Sequence, residues 1–498
     1  MPPGRPPAPP RPGSAPRRPL VVASNRGPVQ FEVSEDGSIE HARGGGGLVT
    51  GLTGALSSAG GLWVAAAMTD GDRHAAEHAA GDMEIADEDA KYRVRYLTPE
   101  AERFDRYYNV VSNRVLWFIH HYLFDAPRTP RFGRAVRAAW DDYVAVNREF
   151  ADALAEEPGE PAFLVQDYHL SLAPLMLRES RPDALVAHFS HTPFAGPDYF
   201  RILPQAMGDA VLRGMLGADV LGFHCDDWAE NFLLCCRHVE GARVDLRRRR
   251  VEIDGRSVAV RTYPIAIDAP ALRRQATSPA VRRARRELVR WKGDAQMILR
   301  VDRTDLSKNI LRGFLAYETL LNEHPRMRGR VRFLALLNPS RRAIPEYRAY
   351  TRDCLRAAER INAELGTPDW QPVTVVVRDD IDRAVAAYSL SDVLLVNPVF
   401  DGMNLVAMEG PTVNRADGVL VLSRNAGADA LLGRHALSVN PFDVQETAEA
   451  MYEALHMRAD ERHRRAAGLR RAIGANPPVR WVGSQLADLE RAAAARAS

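Results

Sequence analysis

Asp401-Gly402-Met403-Asn404-Leu405-Val406-Ala407-Met408-Glu409 sets two carboxylates eight residues apart around a glycine turn. The apolar run Val393-Leu394-Leu395-Val396 precedes it and reads as a buried strand. Asp401-Gly402 then turns the chain into residues of helix-forming character. A helix opening at such a turn presents unpaired backbone N–H groups, which suit anionic or hydroxyl-rich ligands. Glu409 is expected about two turns along that helix, so that the two carboxylates flank a sugar and its leaving group. The plainer reading is an ordinary strand-to-helix loop with a surface acid.

Four further groupings bear on the same chemistry. A charged loop is expected after the strand Met297-Ile298-Leu299, running from Arg300 to Asn309 with Arg303 and Lys308 five residues apart. A departing nucleoside diphosphate gains negative charge, and fixed cations stabilise it where no metal does so. Removing either cation is expected to lower turnover and leave the fold intact. A surface salt-bridge loop is the alternative. Gly44-Gly45-Gly46-Gly47 allows close backbone approach to a phosphate, yet has neither the P-loop ending nor the spaced glycines of a dinucleotide fingerprint. A flexible surface loop explains it equally well. Asp167 and His169 follow one strand-like run and His191 another, so an Asp and a His at neighbouring strand ends can meet across a cleft. His169 is read as a hydrogen-bonded core histidine, His191 as the better ligand contact. The stretch from Tyr107 to Trp117 repeats aromatic and amide groups at helical spacing, fit either to stack on sugar faces or to pack in a core. Asp87-Glu88-Asp89 has no strand-like run before it and reads as solvated loop rather than a metal site. No serine-nucleophile elbow or zinc-binding His-Glu-x-x-His is present.

Positioning these residues requires more than one core. The 498 residues imply two or three domains, and the 46% hydrophobic and 26% charged fractions are those of a soluble globular chain. Strand-like and helix-like runs alternate from Leu20 onward and begin again near Tyr263, which predicts parallel sheets with helices on both faces. The expected fold class is α/β: two Rossmann-like, doubly wound domains facing a deep cleft. Their bounds are placed at residues 19–262 and 263–479, with a last helix at about 480–498 crossing back to the first. Residues 1–18 read as a Pro/Arg-rich disordered tail without the apolar stretch of a signal peptide. A net charge of +2 argues against nucleic-acid binding driven by bulk charge. The run Arg247 to Arg250 reads as a solvated turn. No apolar run is long enough to span a bilayer. The four cysteines, Cys225, Cys235, Cys236 and Cys354, form neither a metal-ligand spacing nor a disulfide framework. A reduced cytoplasmic protein follows.

Together these segments resemble the trehalose-6-phosphate synthase family of retaining GT-B glycosyltransferases, most of all its stand-alone bacterial members. The resemblance is carried by Ser24-Asn25-Arg26, the glycine loop, Tyr107-Tyr108-Asn109 through Trp117, Asp167-Tyr168-His169 and His191-Thr192-Pro193-Phe194. It continues through Arg303 to Lys308, Pro339-Ser340-Arg341 and Asp401 to Glu409, which takes in nearly the whole chain. It implies that Arg303 and Lys308 hold the donor diphosphate with the Gly47 amide. Asp401 and the backbone from Gly402 through Met403 and Asn404 to Leu405 would bind donor glucose hydroxyls, and Glu409 the nucleotide ribose. His191 would contact the donor sugar near its reacting carbon. Arg26, Tyr108, Trp117 and Arg341 would bind glucose 6-phosphate, and Asp167 would orient an acceptor hydroxyl. No metal and no cofactor is implied. Met408 stands where the bacterial members carry lysine, and Asn309 where some carry glycine.

The implied reaction transfers glucose from UDP- or GDP-glucose to glucose 6-phosphate with retention, giving α,α-trehalose 6-phosphate. Two other readings are a pseudoglycosyltransferase joining a nucleotide cyclitol to an aminocyclitol phosphate, and a non-catalytic sugar-phosphate sensor. No Asp-x-Asp-x-Thr phosphatase signature follows residue 440, so a separate phosphatase is expected downstream. The donor base stays open, although residues 378–383 are expected near it, and so does homo-oligomerisation.

Overall fold

The computed structural model describes residues 18–33, 39–43, 49, 52–53, 56, 61–79, 81–87 and 90–497. The Gly44-to-Gly47 loop and the expected tail, but for Arg18, lie outside them. The chain forms two compact units. One holds residues up to Leu116, then Pro130–Ile265, then Pro477 onward; the other holds Trp117–Thr129 and Ala266–Asn476. Trp117, grouped with the first half in the sequence, therefore belongs to the second unit.

In the first unit, β1 (Leu20–Arg26) is followed by a small antiparallel pair, β2 (Val29–Val33) and β3 (Ile39–Arg43). Then come β4 (Leu62–Ala66), β5 (Met83–Asp87), β6 (Ala90–Leu97), β7 (Ala162–Gln166), β8 (Leu185–Phe189) and β9 (Val220–Phe223). Three strands close the set: β10 (Arg243–Asp245), β11 (Arg250–Ile253) and β12 (Arg256–Thr262). The main sheet runs β10-β11-β12-β9-β8-β7-β1-β4-β6-β5. Its interior is parallel, and β7, β8 and β9 are buried along their whole length. Such strands read as continuous apolar runs because both faces are covered. The edges are antiparallel. Asp87, read from sequence as loop, is the last residue of one of those edge strands, β5. The closing helix Pro478–Ala497 belongs to this unit: Trp481 meets the Phe189 ring at 5.0 Å, and the Tyr263 hydroxyl donates to Asp488 at 2.6 Å.

The aromatic stripe is helical but not α-helical. Arg106–Leu116 is an eleven-residue π-helix, a rare form that recurs at functional sites. Ser112 Oγ donates to the Tyr107 carbonyl five residues back at 2.9 Å, a bond that the wider turn permits.

The second unit has one all-parallel sheet: β13 (Gln296–Arg303), β14 (Val331–Asn338), β15 (Val373–Val377), β16 (Val393–Val396), β17 (Val419–Ser423) and β18 (Leu437–Val439). Their order is β15-β14-β13-β16-β17-β18, the 3-2-1-4-5-6 winding of a dinucleotide-binding sheet. Its core includes Phe314, Tyr317, Phe333, Ile361 and Met451, and full burial of such a side chain stabilises by about 1.5–3 kcal/mol. β13 is longer than the sequence suggests. Arg300 to Arg303 continue the strand rather than starting a loop.

Both main sheets reverse direction of winding once, between β1 and β7 and between β13 and β16. Ligands of open α/β sheets bind outside the carboxyl ends of the strands at such switch points. Arg26 and Asp167 lie at one, Arg303 and Asp401 at the other. Among the described residues, no helix is long and apolar enough to cross a membrane. All four cysteines are buried and unpaired.

Candidate active site

At the switch point of the second unit, the Lys308 ammonium pairs with Asp401 Oδ2, and both side chains are largely enclosed. Asn404 Nδ2 donates to the same oxygen at 3.0 Å. Burial pushes the Asp401 carboxyl up, but Lys308 outweighs it and holds the group below the usual carboxylate range. The loop's shape is enforced from behind. Asp401 N–H donates to the Asn425 carbonyl, Gly427 N–H to the Asp401 carbonyl and Ala428 N–H to the Met403 carbonyl, at 3.1, 3.1 and 2.9 Å. Gly427 is needed there, since a Cβ would come within 2.0 Å of the Gly402 carbonyl oxygen. Asn404 itself has φ 70°, and its buried Oδ1 has no partner. Leu405 precedes the helix Val406–Val413, which puts Glu409 in the first turn rather than the second.

Glu409 borders a cavity of about 250 Å³ with Asp302, Arg303 and Tyr388, over an apolar floor of Val301, Leu336 and Val376. Residues 378–381 and 383 rim it. Tyr388 donates to Glu409 Oε2 at 3.1 Å, yet burial dominates and raises the carboxyl. Burial likewise raises Asp302 to about 6 against the pull of Arg300 and Lys308.

Arg303 is exposed, with its guanidinium 5.4 Å from the Trp117 ring. Arg341 packs on the same ring at 3.9 Å. Arg341 Nη1 also donates to Asp305 Oδ2 and to the Tyr347 hydroxyl, each at 2.7 Å. Burial pushes Asp305 up, but Arg341 and Arg303 outweigh it and hold the group at about 2. The result is an indole flanked by two guanidiniums and anchored by a fully ionised aspartate. His121 stacks on Trp117 at 3.8 Å, and burial lowers it to about 4, leaving it neutral.

The first unit gathers Asp167, His169, His191 and Tyr108. Asp167 has φ 72° and ψ 168°, a region almost confined to glycine. Its N–H donates to the Phe189 carbonyl at 2.6 Å, and its Oδ1 accepts from the His191 N–H at 3.0 Å. His191 Nε2 lies 3.0 Å from Gln166 Oε1, so this nitrogen carries the proton and Nδ1 keeps its lone pair. Burial, then His224, His188 and His169, hold His191 well below its ordinary value. Tyr108 stacks on His169 at 5.8 Å, and His169 Nδ1 stands 3.7 Å from Asp167 Oδ2. Asn25 accepts from the buried Tyr107 hydroxyl at 2.9 Å, while Arg26 next to it is exposed.

The sequence pattern of glycosyltransferase family 20 matches residues 18–491. This chain belongs to that family. It is 37% identical over 481 residues to the trehalose-6-phosphate synthase of Mycolicibacterium paratuberculosis, covering 94% of each chain. A solved Escherichia coli structure bound with UDP-2-fluoro glucose superposes with TM-score 0.82 at 31% identity, over 94% of this chain and 98% of that one. A Burkholderia xenovorans α,α-trehalose-phosphate synthase (UDP-forming) in complex with glucose-6-phosphate does so with TM-score 0.81 at 26% identity, over 95% and 100%. The two doubly wound units are those of a GT-B glycosyltransferase.

Of the residues read from the sequence of this family 20 chain, Lys308, Asp401 and Asn404 are joined directly, as are Trp117, Arg303 and Arg341, and Asp167 and His191. Gly47 lies outside the described residues. Removing Lys308 cannot leave the fold untouched, because Asp401 would lose its partner in a buried setting. His169 is largely enclosed, its ring packed between Tyr108 and Tyr168 beside Asp167. Asn309 sits at φ 59° and ψ 39°, which explains an exchange with glycine. Its Nδ2 also bridges the carbonyls of Asn397 and Pro441, at 3.0 and 2.7 Å. Met408 is buried. Four contributors were missed. Asp305 had a signal, the Asp-x-Ser turn in which it accepts from Ser307 N–H and Oγ at 3.0 and 2.9 Å. Tyr347 and Tyr388 had none, since each acts through a fold contact far away in sequence, while His121 lies one helical turn from Trp117.

Proposed function

We infer that the chain moves a glucosyl group from a nucleotide-activated glucose to glucose 6-phosphate with retained anomeric configuration, giving α,α-trehalose 6-phosphate. The observation that carries this reading is the Lys308–Asp401–Asn404 group at the β13/β16 switch point, beside a cavity of about 250 Å³ edged by Arg303 and Glu409. The glucose C1–oxygen bond breaks with its electron pair going to the diphosphate. Arg303 and Lys308 stabilise that growing charge. The acceptor hydroxyl oxygen bonds to C1 on the same face, and its proton passes to a diphosphate oxygen, so no enzyme nucleophile is required. Alignment of the two substrates supplies much of the rate.

In this reading the ionised Asp401, the Asn404 Oδ1 and the Gly402-to-Leu405 backbone, Met403 included, bind glucose hydroxyls, with the Gly47 amide on the diphosphate. Glu409 takes the ribose. Arg341 and Trp117, with Arg26 and Tyr108, take the phosphorylated hexose, and a guanidinium suits its phosphate. Asp167 orients the acceptor hydroxyl, and neutral His191 adds no charge near the reacting carbon. The phosphate stays on the product, for a separate cytoplasmic phosphatase to remove.

Purified protein incubated with UDP-glucose or GDP-glucose and glucose 6-phosphate, in EDTA, is expected to yield a non-reducing disaccharide phosphate. Failure with both donors refutes the assignment. An N-linked product formed only from an aminocyclitol phosphate acceptor would point to the pseudoglycosyltransferase reading instead.

A further inference from the structure

Arg300 is a guanidinium with no exposed surface, placed on β13 three residues before Arg303. It does not border the cavity, so it cannot act on a donor directly. Nη1 donates to the Lys308 carbonyl at 2.8 Å and lies 3.3 Å from Asp302 Oδ2. Nη2 donates to Asn397 Oδ1. Asn397 is the first residue after β16 and opens the loop that ends at Asp401. One side chain thus grips the main chain of the diphosphate-binding lysine, a carboxylate of the cavity wall, and the loop carrying the sugar-binding aspartate. Room for it is left by Gly313, on the helix Ile310–Glu323: a Cβ there would stand 3.3 Å from Arg300 Nη2 and 3.2 Å from Leu395. Burying a charge costs stability unless its partners are well placed, and an apolar residue would fill a strand interior more cheaply. The cost is understandable if the three connections matter in themselves.

We propose that Arg300 is a positioning residue for the donor, fixing Lys308, Asp302 and the Asn397-to-Asp401 loop in one geometry. This rests on the donor-site reading above. Arg300→Met alone strands Asp302 in the interior, so the comparison is made in an Asp302→Asn parent. Binding of UDP and GDP is measured by titration calorimetry, alongside melting temperature and KM for each substrate. The expected result is a loss of nucleotide affinity of about tenfold, the weight of one hydrogen bond to a charged group. Donor KM should rise with it, while KM for glucose 6-phosphate stays within twofold. A merely structural role would lower the melting temperature and shift both KM values together, which overturns the proposal. Unchanged nucleotide affinity in the folded double variant also overturns it. Arg300→Lys keeps the charge but cannot bridge Lys308 and Asn397 at once; binding as tight as the parent's would refute the bridging role. If the unaltered chain binds neither nucleotide, the donor-site reading itself falls, and the inference with it.

Discussion

Replacing Lys308 by methionine should damage stability and chemistry by separate routes, and the two can be pulled apart. Chemically, the loss of one preorganised cation at the leaving group costs on the order of a hundredfold in turnover. Structurally, Asp401 is left in a buried site with the Asn404 amide as its remaining side-chain donor. Breaking a buried ion pair in this way typically costs about 3–5 kcal/mol. For a domain of this size each kcal/mol moves the melting temperature by roughly 2–4 °C, so a fall of roughly 6–20 °C follows. The deficit has a pH signature. With Lys308 in place the folded-state Asp401 is held low, so its contribution is present above the unfolded value and is lost as pH falls. Without Lys308, burial is opposed only by the weaker pulls of His121 and Arg303 and the Asn404 amide, and the folded value is expected to rise above the unfolded one. The variant's deficit should then be smallest below about pH 4 and widen as pH rises through the new value. Asp401→Asn removes the stranded charge, so the double variant Lys308→Met/Asp401→Asn should recover most of the melting temperature and none of the turnover. Thermal melts at pH 4 and pH 8 and a donor-consumption assay on all four proteins complete the cycle. Additive melting shifts, with coupling near zero in place of about 2–3 kcal/mol, would refute the buried-pair argument. Near-normal turnover in Lys308→Met would refute the leaving-group role.

Arg303 offers the contrasting case: its side chain is exposed, so Arg303→Ala should melt within about 0.5 kcal/mol of the parent while losing on the order of a hundredfold in turnover. His188 is buried with neither ring nitrogen partnered, and burial lowers it to about 3. Its unfolded form binds protons first, so stability falls below about pH 6.5, by about 1.4 kcal/mol at pH 5.5; urea melts of His188→Leu should show a pH dependence shallower by that amount. Asp167→Gly relieves a backbone conformation that Asp167→Ala keeps, and should be the more stable of the two by about 1–3 kcal/mol, with both slow in transfer; equal melting would show the backbone there to be unstrained.

How much of this was legible depended on what each segment buries. Val393 to Val396 and Val419 to Leu422 were found from sequence because strands covered on both faces leave unbroken apolar runs. The same rule hid the end of β13, where Arg300 and Asp302 are charged yet interior. It hid β5 too, an edge strand with acidic residues. The π-helix was invisible because aromatic spacing does not separate a π turn from an α turn over eleven residues. At the candidate site, Arg303, Lys308 and Asp401 could be singled out because glycosyl transfer would need those residue types at strand ends. Tyr347 and Tyr388 were not, since a phenol that orients a carboxylate has the same local sequence as one that fills a core.

Four of the residues singled out from the sequence share a backbone feature. Among the described residues, eight that are not glycine have positive φ, and four of these are Asp167, Asn309, Arg341 and Asn404. Left-handed backbone favours glycine, so each holds its place against local preference, at of order 1–3 kcal/mol where the strain is greatest. Each also has a side-chain bond that glycine could not make: Asp167 to the His191 amide, Asn309 to two carbonyls, Arg341 to Asp305, and Asn404 to Asp401. The strained backbone and the functional side chain are therefore one requirement rather than two. Local rules break where a carboxylate, amide or guanidinium must hold another group from the inside of a turn. Glycine at Asp167, Arg341 or Asn404 should therefore relax the backbone and weaken the site together.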